Sequence, residues 1–257
     1  MQIAIVQFRA NPKDIEENFK KIFDYMVIAK SRNADLVVFP EMSLSGYYFK
    51  YLDYQIEYIE KNDLVEKLFN LAVDNQISIN IGLPYNGYNA SLFINHFDQK
   101  KYFYFKSHLI KLFDEHKVFK RGEDLQIVKF KDFNIGLSIC YDLRFPELFR
   151  KYTLAYNVDI IFNISQWPKS RLYHFKILSI ARAIENQVFF ISVNGCGKVG
   201  NTLFGGNSLV ITPQGEIIKE LPSDESVDFV EVSKNSIKDL RQSFPVLEDF
   251  NEKDFIV

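Results

Sequence analysis

Three ionisable residues stand directly after apolar segments of the sequence. Glu41 follows V-V-F-P, Lys106 follows an aromatic run, and Cys140 follows L-S-I. Side chains at the ends of strands in α/β sheets commonly face the ligand site. A thiol is a nucleophile, a carboxylate can accept its proton, and an ammonium can stabilise a developing oxyanion. These residue types therefore predict covalent acyl-transfer chemistry.

Each of the three residues also has a structural interpretation. Cys140 could be a small buried hydrophobe, as free cysteines usually are, and the sequence leaves that role and catalysis equally open. A strand-to-helix turn would place backbone N–H groups near its sulfur and favour the thiolate. Glu41 could turn outward to water, and Lys106 could be a solvated lysine on an edge strand. The other cysteine, Cys196, is assigned no role.

Histidines offer two competing chemistries. Cys140 and His174 could form a Cys-His hydrolase pair, but His174 lies on a helical pattern without an evident orienting residue. His108, Glu115 and His116 could be metal ligands, although their spacing matches no recognised zinc pattern. We therefore expect neither a metal nor another cofactor, and we interpret His108 as a residue that makes a structural hydrogen bond.

The elements that must position these residues alternate between strands and helices. A strand is predicted at Gln2–Phe8, a helix start at Asn11-Pro12, and one apolar helix face from Ile15 to Ala29. Further strands are predicted at 35–40, 77–83, 90–97, 101–105, 126–130, 133–139, 158–164, 188–193, 207–211 and 216–219, and further helices at 64–75, 145–157 and 172–186. The order is β-α-β-α-β with antiparallel additions. Residues 1–257 are predicted to form one α/β domain, with two layers of strands covered by helices.

Composition excludes several classes of protein. The 31 Lys and Arg residues against 33 Asp and Glu residues give a net charge of −2, so no basic excess favours nucleic acid. No apolar run approaches the ~18 residues that span a bilayer, and the N-terminus has no signal-peptide pattern. Two cysteines outside any C-x-x-C pair fit a reducing compartment. We therefore expect a cytoplasmic protein that binds neither nucleic acid nor membrane.

Several blocks of the chain together resemble the nitrilase, or carbon-nitrogen hydrolase, superfamily. In chain order they are F-P-E at 39–41, K-S-H-L at 106–109, D-E-H at 114–116 with a later glycine at 122, C-Y-D-L-R-F-P-E-L at 140–148, R-A-I-E-N-Q at 182–187 and P-Q-G-E at 213–216. The resemblance implies a four-layer α-β-β-α sandwich that pairs into homodimers through its helical layers. It also implies a catalytic triad of Glu41, Lys106 and Cys140, with Glu115 supporting the lysine.

Within the superfamily, D-E-H, R-A-I-E-N-Q and Q-W-P at 166–168 are most similar to bacterial omega-amidases, which release ammonia from 2-oxoglutaramate and related ω-amides. Ile110 departs from the phenylalanine usual in relatives but keeps the position apolar. The resemblance implies an amidase that forms a thioester on Cys140. Two alternatives remain open: an amidase for deaminated glutathione or an N-carbamoyl compound, and a catalytically silent dimeric binding protein.

Four further residues are candidates for contacting the substrate. The backbone N–H of Tyr141 adjoins the nucleophile and would be a second oxyanion donor. By resemblance Arg144 would bind the substrate carboxylate, although an ion pair with Asp142 or Glu147 is equally open. Two aromatic residues would form pocket walls or, alternatively, belong to the aromatic core: Tyr47 and Trp167.

Overall fold

The computed structural model describes residues 1–251 and residue 253. Within this part of the chain, fourteen strands form two six-stranded sheets and one two-stranded ribbon. The strands are β1 (Gln2–Gln7), β2 (Leu36–Val38), β3 (Ser78–Tyr85), β4 (Tyr88–Asn95), β5 (Lys100–Phe105), β6 (Ile127–Phe130), β7 (Phe133–Ile139), β8 (Ile160–Ser165), β9 (Phe189–Asn194), β10 (Cys196–Val199), β11 (Thr202–Gly205), β12 (Leu209–Ile211), β13 (Ile217–Glu220) and β14 (Ser226–Glu231). The α-helices are α1 (Ile15–Ser31), α2 (Leu52–Lys61), α3 (Leu64–Asp74), α4 (Glu115–Val118), α5 (Pro146–Tyr156), α6 (Leu172–Asn186) and α7 (Lys234–Ser243).

The two large sheets have related topologies. The first has the order β14-β1-β2-β3-β4-β5, and its strands β1, β2 and β3 are parallel. The second has the order β13-β12-β9-β8-β7-β6, and its strands β7, β8 and β9 are parallel. The remaining strands join antiparallel. Parallel strands carry their carboxyl ends to one edge of a sheet, so each sheet gathers successive strand ends together.

The sheets pack face to face through alternate residues of their strands. Ile3 and Ile5 of β1 belong to a buried cluster shared with β7, β8 and β9 of the second sheet. Ala4 and Val6 of the same strand pack on the opposite side, in a cluster shared with α1 and α3. A slip of one residue would exchange these two faces, so the burial of both sets of side chains fixes the strand register.

Helices cover the outer faces of both sheets. Helices α1 and α3 bury Met26 and Leu68 against the first sheet, and helices α5 and α6 bury Phe149 and Phe175 against the second. The layers are therefore α-β-β-α, which confirms the predicted two layers of strands covered by helices. None of the helices in the described residues combines the length and apolar character needed to cross a membrane.

The first helix begins later than the sequence predicts. The motif Asn11-Pro12 indicates a helix start, but α1 begins at Ile15. Asp14 is the N-cap instead, because its side chain accepts a hydrogen bond from the backbone N–H of Glu17 at 2.8 Å.

Five parts of the fold have no counterpart in the sequence-based prediction: α2, α4, the ribbon of β10 and β11, β14, and α7. Strand β14 is an edge strand with mostly half-buried residues, and it pairs antiparallel with β1. Helix α7 has one buried residue, Ile237, and is held by Lys234, whose ammonium lies 2.8 Å from the Asp159 carboxylate. Contacts between residues so distant in sequence leave no local periodic pattern.

Candidate active site

The three residues that end predicted strands meet where the two sheets face each other. Glu41 comes shortly after β2 and Lys106 follows β5, both in the first sheet, whereas Cys140 follows β7 in the second. The side chains of Glu41 and Lys106 are fully buried. Cys140 is partly exposed and lines a cavity of about 700 Å³. The packing of one sheet on the other therefore brings the sulfur, the ammonium and the carboxylate together.

Lys106 is the centre of a buried ion-pair cluster. Its Nζ lies 2.8 Å from Glu41 Oε1, and 2.8 and 3.0 Å from the two carboxylate oxygens of Glu115. Burial alone would lower the pKa of Lys106, but the carboxylates of Glu115 and Glu41 raise this pKa well above its ordinary value. The lysine is therefore a fixed cation at neutral pH. Glu115 contacts Lys106, as the resemblance implied, and also accepts a hydrogen bond from the backbone N–H of Ile110 at 2.8 Å.

Asn89 is a member of this cluster that the sequence analysis missed. Its Nδ2 donates to Glu41 Oε1 at 2.7 Å and to Glu115 Oε1 at 2.8 Å, so one side chain spans both carboxylates. Its backbone carbonyl accepts from the backbone N–H of Lys106 at 2.9 Å. The side chain is fully buried, and its Oδ1 has no hydrogen-bond partner among the described residues. The predicted strand begins at Ala90, so the sequence indicates only a turn at Asn89.

Cys140 directly follows β7 and is the first residue of a short 3-10 helix at Cys140–Arg144. Its φ of 47° lies in the left-handed region, which non-glycine residues rarely adopt. Desolvation and the charge of Glu41 raise the pKa of the thiol well above its ordinary value, although Lys106 and the backbone N–H of Gln166 oppose that rise. The thiolate expected from the sequence at this turn is therefore not the resting form. The resting group is a protonated thiol, which needs a base when it attacks.

Glu41 has the electrostatic properties of such a base. Burial raises the pKa of its carboxyl group above the ordinary value of 4.5; Lys106 opposes the rise, and Glu115 adds to it. A carboxylate of raised basicity accepts a proton from a thiol more readily. The charge of the Glu41 carboxylate keeps the proton on the Cys140 sulfur at rest. The same carboxylate can receive that proton during a reaction.

Gln166, which follows β8 of the second sheet, donates two hydrogen bonds to Glu41. Its backbone N–H donates to Glu41 Oε2 at 2.8 Å, and its Nε2 donates to the Glu41 backbone carbonyl at 2.9 Å. Two glycines permit this close packing. A Cβ on Gly195 would lie 2.2 Å from Gln166 Oε1, and a Cβ on Gly82 would lie 2.5 Å from Glu41 Cα. The sequence signal was the Q-W-P block, which contributed to the resemblance but indicated no contact with Glu41.

Asp142 connects the cysteine turn to the segment after β5. One of its oxygens accepts from the Tyr104 hydroxyl at 2.8 Å and from the backbone N–H of Ile139 at 3.0 Å. The other oxygen accepts from the backbone N–H of His108 at 3.0 Å and lies 2.8 Å from His108 Nδ1. His108 thus has the structural hydrogen bond expected from the sequence. The sequence analysis considered Asp142 only as a partner of Arg144 and missed its part in fixing the turn.

The predicted substrate-contacting residues all line the cavity beside Cys140: Tyr47, Tyr141, Arg144 and Trp167. The guanidinium of Arg144 lies 4.9 Å from the ring centroid of Trp167 and 5.9 Å from that of Tyr141. Asp142 is occupied by other donors, and within the described residues no ion pair joins Arg144 to Asp142 or Glu147. The ion-pair interpretation of Arg144 is therefore wrong.

The two roles considered for Trp167 are both present. Its side chain is 2% exposed and packs in the core beneath α5 and α6, and it also forms part of the cavity wall. The indole Nε1 donates to the backbone carbonyl of Arg171 at 2.8 Å, which holds the ring under Arg144. Tyr47 lies on another wall, where its ring centroid is 5.9 Å from Lys106 Nζ.

The competing histidine chemistries do not match the geometry. His174 is exposed on α6, its Nδ1 lies 3.4 Å from an Arg144 guanidinium nitrogen, and it is not among the described residues that line the cavity with Cys140. Both oxygens of Glu115 are engaged by Lys106 and a backbone N–H. Across residues 1–251 and residue 253, no group of three or more His, Cys, Asp or Glu side chains could hold a metal ion.

Comparison with known proteins assigns the family. Residues 2–242 match the carbon-nitrogen hydrolase family, and the chain belongs to it. The chain is 34% identical over 230 residues to a "Hydrolase in agr operon" from Staphylococcus lugdunensis, which covers 86% of this chain and 97% of that protein. It is 31% identical over 255 residues to a 2-oxoglutaramate amidase from Bacillus subtilis (strain 168), covering 97% of each.

A solved structure shows the same architecture. XC1258 from Xanthomonas campestris, a CN-hydrolase superfamily protein, superposes with a TM-score of 0.87 at 26% identity over 100% of this chain and 98% of that chain. The family match and this superposition confirm the resemblance stated from the sequence and the α-β-β-α fold that it implied.

Proposed function

We propose that this carbon-nitrogen hydrolase is a thiol amidase that converts a small carboxylate-bearing amide, such as 2-oxoglutaramate, to the acid and ammonia. The main support is the joint placement of Cys140 and Arg144 on the wall of one cavity, with the charges of Glu41 and Lys106 acting on the thiol. The 31% identity to the 2-oxoglutaramate amidase, over 97% of both chains, supports the same substrate class.

The first half of the proposed reaction builds the tetrahedral intermediate that precedes the thioester. The Cys140 sulfur attacks the amide carbon while its proton passes to Glu41, whose raised pKa suits that transfer. The carbonyl oxygen becomes an oxyanion, which Lys106 and a backbone N–H next to the nucleophile, that of Tyr141, would stabilise. Removing one such donor typically costs about 3–4 kcal/mol of barrier.

The second half releases both products. Glu41 returns the proton to the amide nitrogen, the C–N bond breaks, and ammonia leaves the acyl group on sulfur. Glu41 is then a carboxylate again, and it accepts a proton from the water that attacks the thioester. Collapse of the second tetrahedral intermediate breaks the C–S bond, frees the carboxylic acid and returns the proton to Cys140. Lys106 keeps its charge throughout, because two carboxylates hold its pKa high.

Arg144 is the proposed receptor for the free carboxylate of the substrate. Its guanidinium lies against the Trp167 ring on the cavity wall, and it has no carboxylate partner among the described residues. A planar guanidinium can bind a carboxylate through two parallel hydrogen bonds. The aromatic face beneath Arg144 would keep the fork oriented before the substrate arrives.

The proposal is tested by ammonia release from 2-oxoglutaramate. Wild type should turn the compound over, Cys140→Ala should abolish turnover, and Cys196→Ala should retain it, because Cys196 lies outside the cavity lining. Equal rates for wild type and Cys140→Ala would contradict the proposal. Comparing kcat/KM across deaminated glutathione and N-carbamoyl compounds then places the substrate among the alternatives, because the pocket determines that ratio.

A catalytically silent protein is distinguished by thiol labelling. Cys196 is 2% exposed and lies outside the cavity lining, so a thiol reagent reaches its sulfur poorly. Limiting iodoacetamide at neutral pH should therefore modify Cys140, which opens into the cavity, ahead of Cys196. Equal or reversed labelling in peptide maps would favour the silent interpretation.

We also propose that the chain acts as one domain and forms a homodimer in the cytoplasm through its outer helices. Tyr173 is 76%, Ile177 47% and Ile184 50% exposed, and their spacing places them on one side of α6. The variant Tyr173→Lys/Ile177→Lys should sediment as a monomer. A matched control, Tyr54→Lys on α2, replaces a ring that is 51% exposed on the other outer layer and should leave the dimer intact. Wild type sedimenting as a monomer would contradict this proposal.

A further inference from the structure

Helix α6 contacts the 3-10 helix of the nucleophile through one buried arginine. Arg182 is 5% exposed, and its Nε and Nη2 donate to the backbone carbonyl of Leu143 at 3.2 and 3.0 Å. Leu143 lies in the 3-10 helix that begins with Cys140 and ends with Arg144. The guanidinium therefore holds the end of that helix at which the proposed carboxylate receptor stands.

The carbonyl of Leu143 depends on Arg182 because the nearby backbone does not supply a donor. A 3-10 hydrogen bond to this carbonyl would come from the residue three positions later, which is Pro146 and has no N–H. Within the described part of the chain, its donors are the two Arg182 nitrogens. Leu143 is fully buried, and a buried carbonyl without a donor is costly. Arg182 therefore satisfies the backbone where the 3-10 helix gives way to α5.

The guanidinium of Arg182 is itself held in one orientation. Its Nη1 donates to Glu185 Oε1 at 2.9 Å, and its centre lies 5.5 Å from the centroid of the Phe149 ring. The guanidinium is planar, and its N–H donors have a fixed fork geometry. Two nitrogens of this fork converge on the Leu143 carbonyl, so they fix the direction of the carbonyl as well as satisfying it. A lysine ammonium at the same place has no such fork.

The direction of this carbonyl matters for Arg144. The C=O of Leu143 and the N–H of Arg144 belong to one planar peptide group, so fixing the carbonyl fixes the backbone from which the Arg144 side chain starts. Helix α6 also reaches the tip of that side chain, because His174 Nδ1 lies 3.4 Å from a guanidinium nitrogen of Arg144. A two-bond contact with a carboxylate requires such a fixed orientation.

The other end of the 3-10 helix is held separately. Asp142 accepts from the backbone N–H of Ile139, directly before the nucleophile, at 3.0 Å, and from the backbone N–H of His108 at 3.0 Å. Loss of the Arg182 contact should therefore disturb the receptor end of the helix more than the Cys140 end.

We propose that Arg182 is a positioning residue that sets the preference for carboxylate-bearing amides by fixing the peptide plane that precedes Arg144. This inference rests on the proposed amidase function and extends it to a residue that is not among the described residues lining the cavity. Arg182 acts through Leu143 and Arg144 and takes no part in the bond-making steps. Without its two hydrogen bonds, binding of the substrate carboxylate should weaken, whereas attack on an uncharged amide should change little.

Two amides of equal chain length test the proposal. Butyramide has a methyl group where succinamate has its carboxylate, and ammonia release measures the turnover of both. The measured quantity is the ratio of kcat/KM for succinamate to kcat/KM for butyramide. Arg182→Lys keeps the charge and removes the fork, so it should lower this ratio by about tenfold or more, the loss expected for one misaligned hydrogen bond to a charged group. The change should appear mainly as a higher KM for succinamate.

Arg150→Lys is the matched control. Arg150 lies on α5, and its Nη1 donates to the backbone carbonyl of Glu185 at 2.6 Å, so it also joins α5 to α6 through a carbonyl, but not to the 3-10 helix. The control should leave the ratio unchanged, even where denaturant unfolding shows a lower midpoint. An unchanged ratio in Arg182→Lys, or equal falls in both variants, would overturn the inference.

A second variant, Arg182→Gln, keeps one donor without the charge and should lower the ratio at least as far as Arg182→Lys. Failure of both Arg182 variants to fold would assign the residue to stability and reject the positioning role. In an Arg144→Lys background, Arg182→Lys should have little further effect on the ratio, because the receptor that it orients is already impaired. Full additivity of the two substitutions would also reject that role.

Binding to Cys140→Ala separates this inference from the proposed function. By calorimetry, succinamate should bind about tenfold more weakly to Cys140→Ala/Arg182→Lys than to Cys140→Ala, with no such difference for butyramide. Equal affinities for succinamate would reject the positioning role, even if wild type hydrolyses the compound. Weaker binding of succinamate to the double variant, without ammonia release from either amide by wild type, would support the positioning role and reject the proposed reaction.

Discussion

Replacing Asn89 by Asp should test how the buried cluster prepares Glu41 for catalysis. The substitution keeps the shape of the side chain but exchanges its NH₂ group for an oxygen. That NH₂ group donates to Glu41 at 2.7 Å and to Glu115 at 2.8 Å, so the new oxygen would face two carboxylates at hydrogen-bond distance. Three carboxyl groups would then surround the single ammonium of Lys106.

The expected size of the effect follows from these contacts. Two hydrogen bonds to charged groups are lost, each worth about 1.5–3 kcal/mol. If that loss appears in the barrier, kcat/KM falls by about 10²- to 10⁴-fold. Two like charges about 3 Å apart repel by about 5 kcal/mol at an effective dielectric constant of about 20, so the introduced carboxyl group should hold a proton far above the usual pKa of Asp.

The activity loss of Asn89→Asp should depend on pH. The introduced group can donate one hydrogen bond only while it is protonated, that is, below its raised pKa. The deficit of Asn89→Asp relative to wild type should therefore shrink between about pH 8 and 6. The activity of wild type should instead decrease as the pH falls, because protonation of Glu41 removes the base.

The assay is ammonia release over that pH range, with denaturant unfolding of the same samples to verify the fold. The control is Asn80→Asp, on neighbouring strand β3, because Asn80 is equally buried and its Oδ1 accepts from the Ser91 hydroxyl at 2.8 Å, outside the ion-pair cluster. A folded Asn89→Asp enzyme within about threefold of wild type at all pH values would refute the reasoning. Equal losses in the two variants would do the same, because they would assign the effect to buried charge in general.

Three further predictions concern the charges around the sulfur and the substrate. Glu41→Gln should lower the rate of amide hydrolysis by about 10²- to 10⁴-fold. It should also speed iodoacetamide alkylation of Cys140, because it removes a charge that raises the pKa of the thiol. Slower alkylation would contradict this prediction. Arg144→Lys should raise KM for acidic amides far more than for neutral ones, and similar changes for both would assign Arg144 to structure. In wild type, the acid limb of kcat/KM should lie above the ordinary glutamate pKa of 4.5, since burial raises the pKa of Glu41, and a midpoint at or below that value would count against Glu41 as the base.

The sequence predicted the strand-end residues because their signal is local. Each of Glu41, Lys106 and Cys140 follows an apolar run that folds as a strand, and such runs are visible without knowing what packs on them. Asn89 is different. Its place opposite Lys106 comes from the antiparallel register of β4 on β5, in which Ala90 pairs with Phe105. The residue pattern of either strand alone does not predict the register in which two strands joined through a turn pair.

The protonation state of Cys140 could not be predicted from the sequence for a related reason. The turn after β7 was predicted correctly, and a helix start does favour a thiolate. What decides the pKa is desolvation together with the charge of Glu41, which arrives from the other sheet. The strengths of these effects depend on packing between segments that lie about a hundred residues apart.

The division of the site between the two sheets has a consequence for how activity arises. Glu41 and Lys106 belong to the first sheet, and Cys140 and Gln166 to the second. A chain with only one sheet assembled has the nucleophile without an acceptor for its proton, or the acceptor without a nucleophile. During renaturation, the first appearance of ammonia should therefore mark the docking of the two layers, and it should lag behind the circular dichroism signal of the individual strands and helices.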